Sequence, residues 1–429
     1  MKTTFRFWSG LNTIGGNIAE IRYGDDRVIF DFGRAYNPAD TLLTNAQGRE
    51  GRKVADMLRL GMIPAIDGLY AKADLTPVQG CKLIPAEDWA AAGKNTAVFI
   101  SHLHLDHMGA IDTIAPGVSV YMSAEGAALY EALMDIGEGP FRRGVKSFDY
   151  EKPVQIGGIT VTGYAIDHDV HGASAILVET PDMSIAHSGD IRMRGQRPEL
   201  NHSWIKTMHD KNVDYLFMEG TAFWPPRDDS GVDNKLQQYK ESEVAGEIGR
   251  VLLGAGGVGF FNFYHRNLER IDNLIKAAHS AGREIVFEPL TAKLVAQLMP
   301  AAKYYVLGEN ITVTQINQNP KGYFVQNTMG NIFSLMDYEP AGSVYIHTNG
   351  IPLGPFDPAF NSMVSFLGAL GIEFFTVPSA GHGDMDDILQ IVDGIKPKTL
   401  VPWHSPAPDQ MIPLDSGQQV MIPQLGIWY

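Results

Sequence analysis

Two short stretches near the start of the chain alternate apolar and polar residues with the period of a half-buried strand. Ile18 to Tyr23 and Arg27 to Phe32 are separated by Gly24-Asp25-Asp26, so together they predict a β-hairpin. From about residue 34 to 75 the pattern is mixed, with glycines and polar residues throughout. That segment reads as a long excursion, a flap over a site. Strand-like runs resume at Thr96–Ile100, Val118–Met122, Ile159–Ala165, Ala175–Val178 and Ser184–His187. Another, Asp214–Met218, leads into Glu219-Gly220-Thr221.

After Trp224 the rhythm changes. Phe260–Tyr264 predicts a strand, and Arg266 to Ala281 a helix with Leu268, Ile271, Leu274, Ile275 and Ala278 on one face, ended by Gly282. Glu284–Phe287 and Ser343–His347 are further strands. Strand, helix, strand in this order implies a right-handed parallel βαβ unit. The expected organisation is a first domain over 1–224, an inserted α/β region over 225–365, and a return to the first domain over 366–429. That return uses a strand at Phe374–Pro378, a helix around Met385–Val392 and a strand at Thr399–Val401.

The chain has 429 residues, 45% of them hydrophobic and 19% charged, which is a globular composition with room for more than one core. Its single cysteine, Cys81, rules out an internal disulfide framework and leaves histidine and carboxylate as the metal-ligating side chains. The N-terminal residues lack an apolar run of signal-peptide length, and no stretch has the ~20 apolar residues of a membrane span, so a cytoplasmic location without membrane contact is expected. A formal net charge of −15 counts against a broad basic face for nucleic acid. It leaves room for a local groove, or for positive potential supplied by metal ions.

The densest chemistry lies at Ser101-His-Leu-His-Leu-Asp-His-Met-Gly109, directly after the apolar run Val98-Phe99-Ile100. Two histidines two residues apart reach one metal, and the following Asp106-His107 pair reaches a second one nearby. Imidazole and carboxylate suit zinc, with manganese as the alternative. A histidine-rich surface loop is the plain reading, but four ligand-type residues within six positions argue against it. One loop does not complete two shells. Ser188-Gly189-Asp190 follows another strand, and Asp190 is placed to bridge two ions. Asp167-His168-Asp169-Val170-His171-Gly172 offers two histidines, of which His168 is nearer its strand end, with His171 still open. His404, after the strand Thr399–Val401, would close the second shell.

This set, His-x-His-x-Asp-His, a later histidine, Ser-Gly-Asp and a last histidine, resembles the metallo-β-lactamase superfamily. The resemblance implies a four-layer αββα sandwich with two divalent ions. His102, His104 and His168 would hold one ion, Asp106, His107 and His404 the other, and Asp190 would bridge. Cys81 precedes the cluster and is misplaced for the thiolate ligand of a common zinc β-lactamase. Met218-Glu219-Gly220-Thr221, Phe263-Tyr-His-Arg-Asn267, Gly189-Asp190-Ile-Arg192, Ser379-Ala-Gly-His382-Gly383 and the run from Ile395 to His404 resemble the β-CASP branch, ribonuclease J and its shorter relatives. The inserted region would then be a β-CASP-like parallel α/β domain. Two departures stand out: only about 25 residues follow His404, and His347-Thr-Asn-Gly350 stands where relatives carry a serine-rich turn.

The resemblance implies a nuclease in which two ions lower the pKa of a bridging water and hold a phosphate oxygen, with hydroxide as nucleophile. Asp106 would orient that nucleophile, and Glu219 with His382 would deliver a proton to the leaving oxygen. Ser379, Gly381, His382 and Gly383 would line the substrate, with amides at the following helix start open to a phosphate. RNA, or single-stranded DNA, is the expected substrate, and homo-oligomerisation is left open. A lactonase or thioesterase on the same scaffold and a non-catalytic binding relative are the rival readings.

Overall fold

The computed structural model describes residues 1–34, 49–139, 143–225 and 237–429. The first sheet is built in chain order from β1 (Thr3–Ser9), β2 (Ile18–Tyr23), β3 (Asp26–Phe30), β4 (Asn95–Phe99), β5 (Ser119–Ser123) and β6 (Lys146–Phe148). Its first three strands run antiparallel, and the rest are parallel. In β1 the buried positions are Thr3, Phe5 and Phe7, alternating with the more open Thr4, Arg6 and Trp8, as the pleat demands.

The second sheet starts with β7 (Pro153–Ile156), β8 (Ile159–Ala165), β9 (Ser174–Glu179), β10 (Ser184–His187) and β11 (Tyr215–Glu219). The chain then leaves to build a third sheet from β12 (Gly259–Phe263), β13 (Glu284–Phe287), β14 (Tyr305–Val306), β15 (Tyr323–Gln326), β16 (Val344–Thr348) and β17 (Glu373–Thr376). This sheet is parallel throughout, in the order β14-β13-β15-β12-β16-β17. The chain returns through β18 (Thr399–Trp403), which pairs in parallel with β11, and β19 (Gln419–Val420).

The first two sheets pack face to face. Phe5, Phe7, Val28, Phe30 and Phe99 of one meet Ile159, Val161, Ile176, Phe217, Val401 and Trp403 of the other, all buried. Removing one such phenyl ring from water is worth roughly 2–3 kcal/mol. The outer face of the second sheet is covered by the helices Pro198–Lys211 and Met385–Ile395, and that of the first by Ala124–Asp135 and its neighbours. The result is the expected four-layer αββα sandwich with a further parallel α/β layer, whose sheet is apolar on both faces. Among the described residues no helix is long and apolar enough to cross a membrane.

Several details depart from the sequence pattern. Residues 35–48 of the expected flap and 226–236 around the boundary at 224/225 lie outside the described residues. The rest of the supposed excursion is no flap: it contains the helices Lys53–Arg59 and Lys72–Leu75, and Val54, Met57, Ile66, Leu69 and Tyr70 are buried in the core. The strand expected to return to the first domain at Phe374 is instead β17, whose residues pair with β16. The α/β layer therefore extends past 365 to Thr376. Helix Met385–Ile395 buries Ile388, Ile391, Val392 and Ile395, while Met385 points outward.

The α/β layer is tied to the sandwich by a buried ion-pair network. Arg192, just past the Ser188-Gly189-Asp190 turn, donates to Asp167 (3.0 Å), to Glu241 (3.1 Å) and to Glu269 (2.7 Å). Arg270 donates to both Glu241 oxygens, at 2.9 and 2.8 Å. Burial works against the Glu241 charge, but Arg270 and Arg192 outweigh it and hold its pKa down at about 2. The loops bearing Asp167-His168 and Asp190 are thus braced from the inserted layer.

Candidate metal centre

The C-terminal ends of the central strands converge on one spot. Beyond β4 the chain passes through His102 and His104 into a single helical turn, Leu105–Met108, which swings Asp106 and His107 back toward them. The Asp106 carbonyl lies against Gly33, where a Cβ would collide with it, so the strand end after β3 must carry glycine. His168 follows β8, Asp190 follows β10, Glu219 ends β11, and His404 follows β18.

These side chains form three groups, in each of which the ligand-type atoms lie within 4.8 Å of one another. The groups are His102, His104, His168 and Asp190; Asp106, His107, Asp190 and His404; and Asp190, Glu219 and His382. Asp190 belongs to all three. The Nε2 atoms of His107, His102, His404 and His382 stand 3.1, 3.4, 3.5 and 3.8 Å from its Oδ2. Yet both Asp190 oxygens are buried without a hydrogen-bond partner among the described residues. Orphaned carboxylate oxygens ringed by imidazole nitrogens are costly unless cations lie between them. The residues therefore fit divalent metal ions, and a donor set of imidazole and carboxylate suits zinc or manganese.

The ring nitrogens behind the donors are also held. Asp31, fully buried, accepts from His107 Nδ1 at 2.8 Å and from Ser101 N at 2.7 Å. His187 Nε2 lies 3.2 Å from the same carboxylate. Burial opposes the Asp31 charge, but His107 and His187 outweigh it and keep the carboxyl well below the usual carboxylate range. His168 Nδ1 donates to the Gly381 carbonyl at 2.6 Å. Such contacts fix which nitrogen is free to ligate. Asn17 Nδ2 lies 3.0 Å from both His107 Nε2 and His404 Nδ1. Asp31 and His404 have φ values of 55° and 49°, a left-handed backbone that is strained for non-glycine residues and tends to persist at functional sites.

The structure also brings Glu219 and His382 together. His382 Nδ1 lies 3.1 Å from Glu219 Oε1, and its Nε2 faces the metal-type donors. The other Glu219 oxygen accepts from Thr221 Oγ1 at 2.7 Å. Burial alone would lower the His382 pKa, but the charges of Glu219 and Asp190 outweigh it and push it up to about 10. The two residues arrive from different sheets, not from neighbouring strands of one: Glu219 from β11 and His382 from the turn after β17.

Other candidates stand elsewhere. His171 falls in none of the three groups, and its amide donates to the Arg266 carbonyl. Ser379 is 1% exposed, and its amide donates to Asn349 Oδ1 at 2.9 Å, tying its turn to the 347–350 turn. The Gly383 amide donates to the Ile191 carbonyl at 2.7 Å. The start of helix Met385–Ile395 carries a capping box in which Asp384 and Asp387 take up each other's amides, and it places the carboxylates of Asp384, Asp386 and Asp387 in the first turn. Sequence reasoning gave no role to Tyr264, whose ring centre is 5.4 Å from that of His104, or to Arg266, which donates to the Leu103 carbonyl between the first two histidines. Both lie in the turn after β12, and an Arg directly past a strand end was the signal for one of them.

Residues 92–241 match the model of the metallo-beta-lactamase superfamily. The chain carries a metallo-β-lactamase domain. Beyond that domain the chain is similar over most of its length to ribonucleases J. Ribonuclease J of Thermus thermophilus is 22% identical over 94% of this chain and 68% of its own length. That of Sinorhizobium meliloti is 22% identical over 77% of this chain and 61% of its own length, and that of Pyrococcus abyssi 22% over 92% and 88%. A solved protein of unknown function from Enterococcus faecalis V583 superposes over 100% of both chains, with a TM-score of 0.84 at 25% identity. The metallo-β-lactamase domain and its donor groups make the protein a metal-dependent hydrolase.

Proposed function

We propose that this hydrolase cleaves phosphodiesters, with RNA as its substrate, in the manner of a ribonuclease J-like enzyme that holds two divalent ions. The observation that carries the reading is the Glu219–His382 pair. It stands at Asp190 beside two metal-type donor groups, in a chain aligned with ribonuclease J across the sandwich and the α/β layer alike. His102, His104 and His168 would hold one ion, Asp106, His107 and His404 the other, and Asp190 would touch both. Zinc is our first choice and manganese the alternative. Bound ions of this kind lower the pKa of a coordinated water and neutralise a phosphate oxygen.

The remaining work falls to the chain. Asp106, whose Oδ2 lies 3.7 Å from His107 Nε2 and 3.6 Å from His404 Nε2, orients the attacking water. His382, kept protonated by Glu219, donates from Nε2 to the leaving oxygen, a contribution of typically 10²–10⁴-fold. Glu219 acts through His382 by holding its Nδ1. We place the domains at 1–224, about 225–376 and the remainder of the chain, moving the second boundary to the end of β17.

The test is release of mononucleotides from a 5′-monophosphorylated RNA in the presence of zinc or manganese, run beside single-stranded DNA, an ester and a lactone. RNA cleavage abolished by a chelator is expected. Brisk ester or lactone hydrolysis with no nucleic acid cleaved would replace this reading with that of a small-molecule hydrolase.

A further inference from the structure

His104 differs from the other donors in the first group. His102 Nε2 and His168 Nε2 both lie 3.1 Å from its Nδ1, so Nδ1 faces the metal position and Nε2 points away. A neutral imidazole that ligates through Nδ1 carries its proton on Nε2, and that N–H needs an acceptor. Three other rings have theirs: Asp31 behind His107, the Gly381 carbonyl behind His168, and Ser101 Oγ 3.0 Å from His102 Nδ1. No hydrogen bond reaches His104 Nε2 among the described residues. The ion-pair partner facing it is Asp169 Oδ1 at 3.6 Å, an electrostatic contact rather than a hydrogen bond at that distance.

Asp169 is itself unexplained. The residue is 9% exposed, and its Oδ1 is buried without a hydrogen-bond partner. The same oxygen is 3.3 Å from His168 Nε2. Room for the carboxylate comes from the opposite turn, because a Cβ on Gly381 would lie 2.7 Å from Asp169 Oδ1. Gly381 thus does two things at once: its carbonyl holds His168, and its missing side chain leaves space for Asp169.

We propose that Asp169 is the positioning residue of the first donor group: its carboxylate holds His104 with the proton on Nε2, leaving Nδ1 free to ligate. The sequence could not assign it, since it lies between the two histidines of the 167–172 segment and reads as a loop carboxylate. This inference rests on the metal-binding reading above.

The test compares wild type, Asp169→Asn and Gly381→Ala by competition titration with a chromophoric chelator, by the electronic spectrum of the cobalt-loaded protein, and by urea unfolding of the metal-free protein. The carboxamide of Asp169→Asn keeps the shape but presents a neutral group to Nε2, and a side chain at 381 displaces the carboxylate. In both variants one metal equivalent should bind about 10–100-fold more weakly. The cobalt spectrum should change, the other equivalent should keep its affinity, and the metal-free unfolding midpoint of Asp169→Asn should stay at the wild-type value. Wild-type affinity for both equivalents in Asp169→Asn would overturn the inference and leave the metal-binding reading intact. So would a fall in both equivalents together with the metal-free midpoint, which is the mark of a structural role. A wild-type protein that binds no metal would overturn both.

Discussion

Exchanging Asp31 for asparagine isolates the support behind the second donor group. The side chain keeps its shape, and one oxygen still accepts from Ser101 N. The other position becomes an NH₂ group facing His107 Nδ1 at 2.8 Å and His187 Nε2 at 3.2 Å, both now donor against donor. These two hydrogen bonds to a charged acceptor are lost, each worth about 1.5–3 kcal/mol, together with the one that Ser101 Oγ donates to the same oxygen at 3.0 Å. His107 can recover a bond to the amide only where its proton moves to Nε2, which blocks the nitrogen that faces Asp190. Loss of such support costs metal affinity about 10–100-fold, or about 1.4–2.7 kcal/mol. The assay is chelator competition at fixed neutral pH on folded protein, with urea unfolding of the metal-free form as control. One weakened equivalent is expected. Wild-type affinity for every equivalent in a folded Asp31→Asn protein would refute the claim that Asp31 sets the His107 tautomer.

Asp190→Ala should reduce binding of both equivalents, measured by elemental analysis after gel filtration; retention of two would exclude a shared ligand. His382→Ala should keep its metal content and lose turnover by about 10²–10⁴-fold on a poor leaving group, less on a good one. A defect confined to KM, equal for both leaving groups, would make His382 a phosphate grip instead. Glu241 is held down to about 2 from an ordinary 4.5, so its stabilisation is complete above pH 4.5 and is lost as pH falls toward 2. Its full size is about 3 kcal/mol, and urea midpoints of Glu241→Gln should fall less steeply across that window than those of wild type. Parallel slopes would remove Glu241 from the acid response.

The donor set was largely legible because it is local or sits at strand ends. Four ligand-type residues in six positions survive any uncertainty about tertiary structure, and Asp190, Glu219 and His404 each follow an apolar run. Asp31 and Asn17 were not legible. Each is a single polar residue near a hairpin, and its meaning depends on partners far along the chain that no spacing reveals. Strand β17 was read correctly as a strand and given the wrong neighbours, since a short run such as Phe374-Phe375-Thr376-Val377 does not say which sheet it completes. The reciprocal Asp384–Asp387 cap depends on side-chain direction, which the hydrophobic pattern does not carry.

The pairing of β11 with β18 has a consequence for how the molecule is made. During synthesis β11 emerges well before its parallel neighbour, because the whole α/β layer is translated in between. At ~5–20 residues per second that interval is on the order of ten seconds or longer, during which Tyr215–Glu219 has an open edge. His404 is also still absent, so the second donor group is one ligand-type residue short. A growing chain can complete its inserted layer and first sheet strands while the cluster of donor groups stays unfinished. Assembly of that cluster is deferred to one late event, the docking of β18.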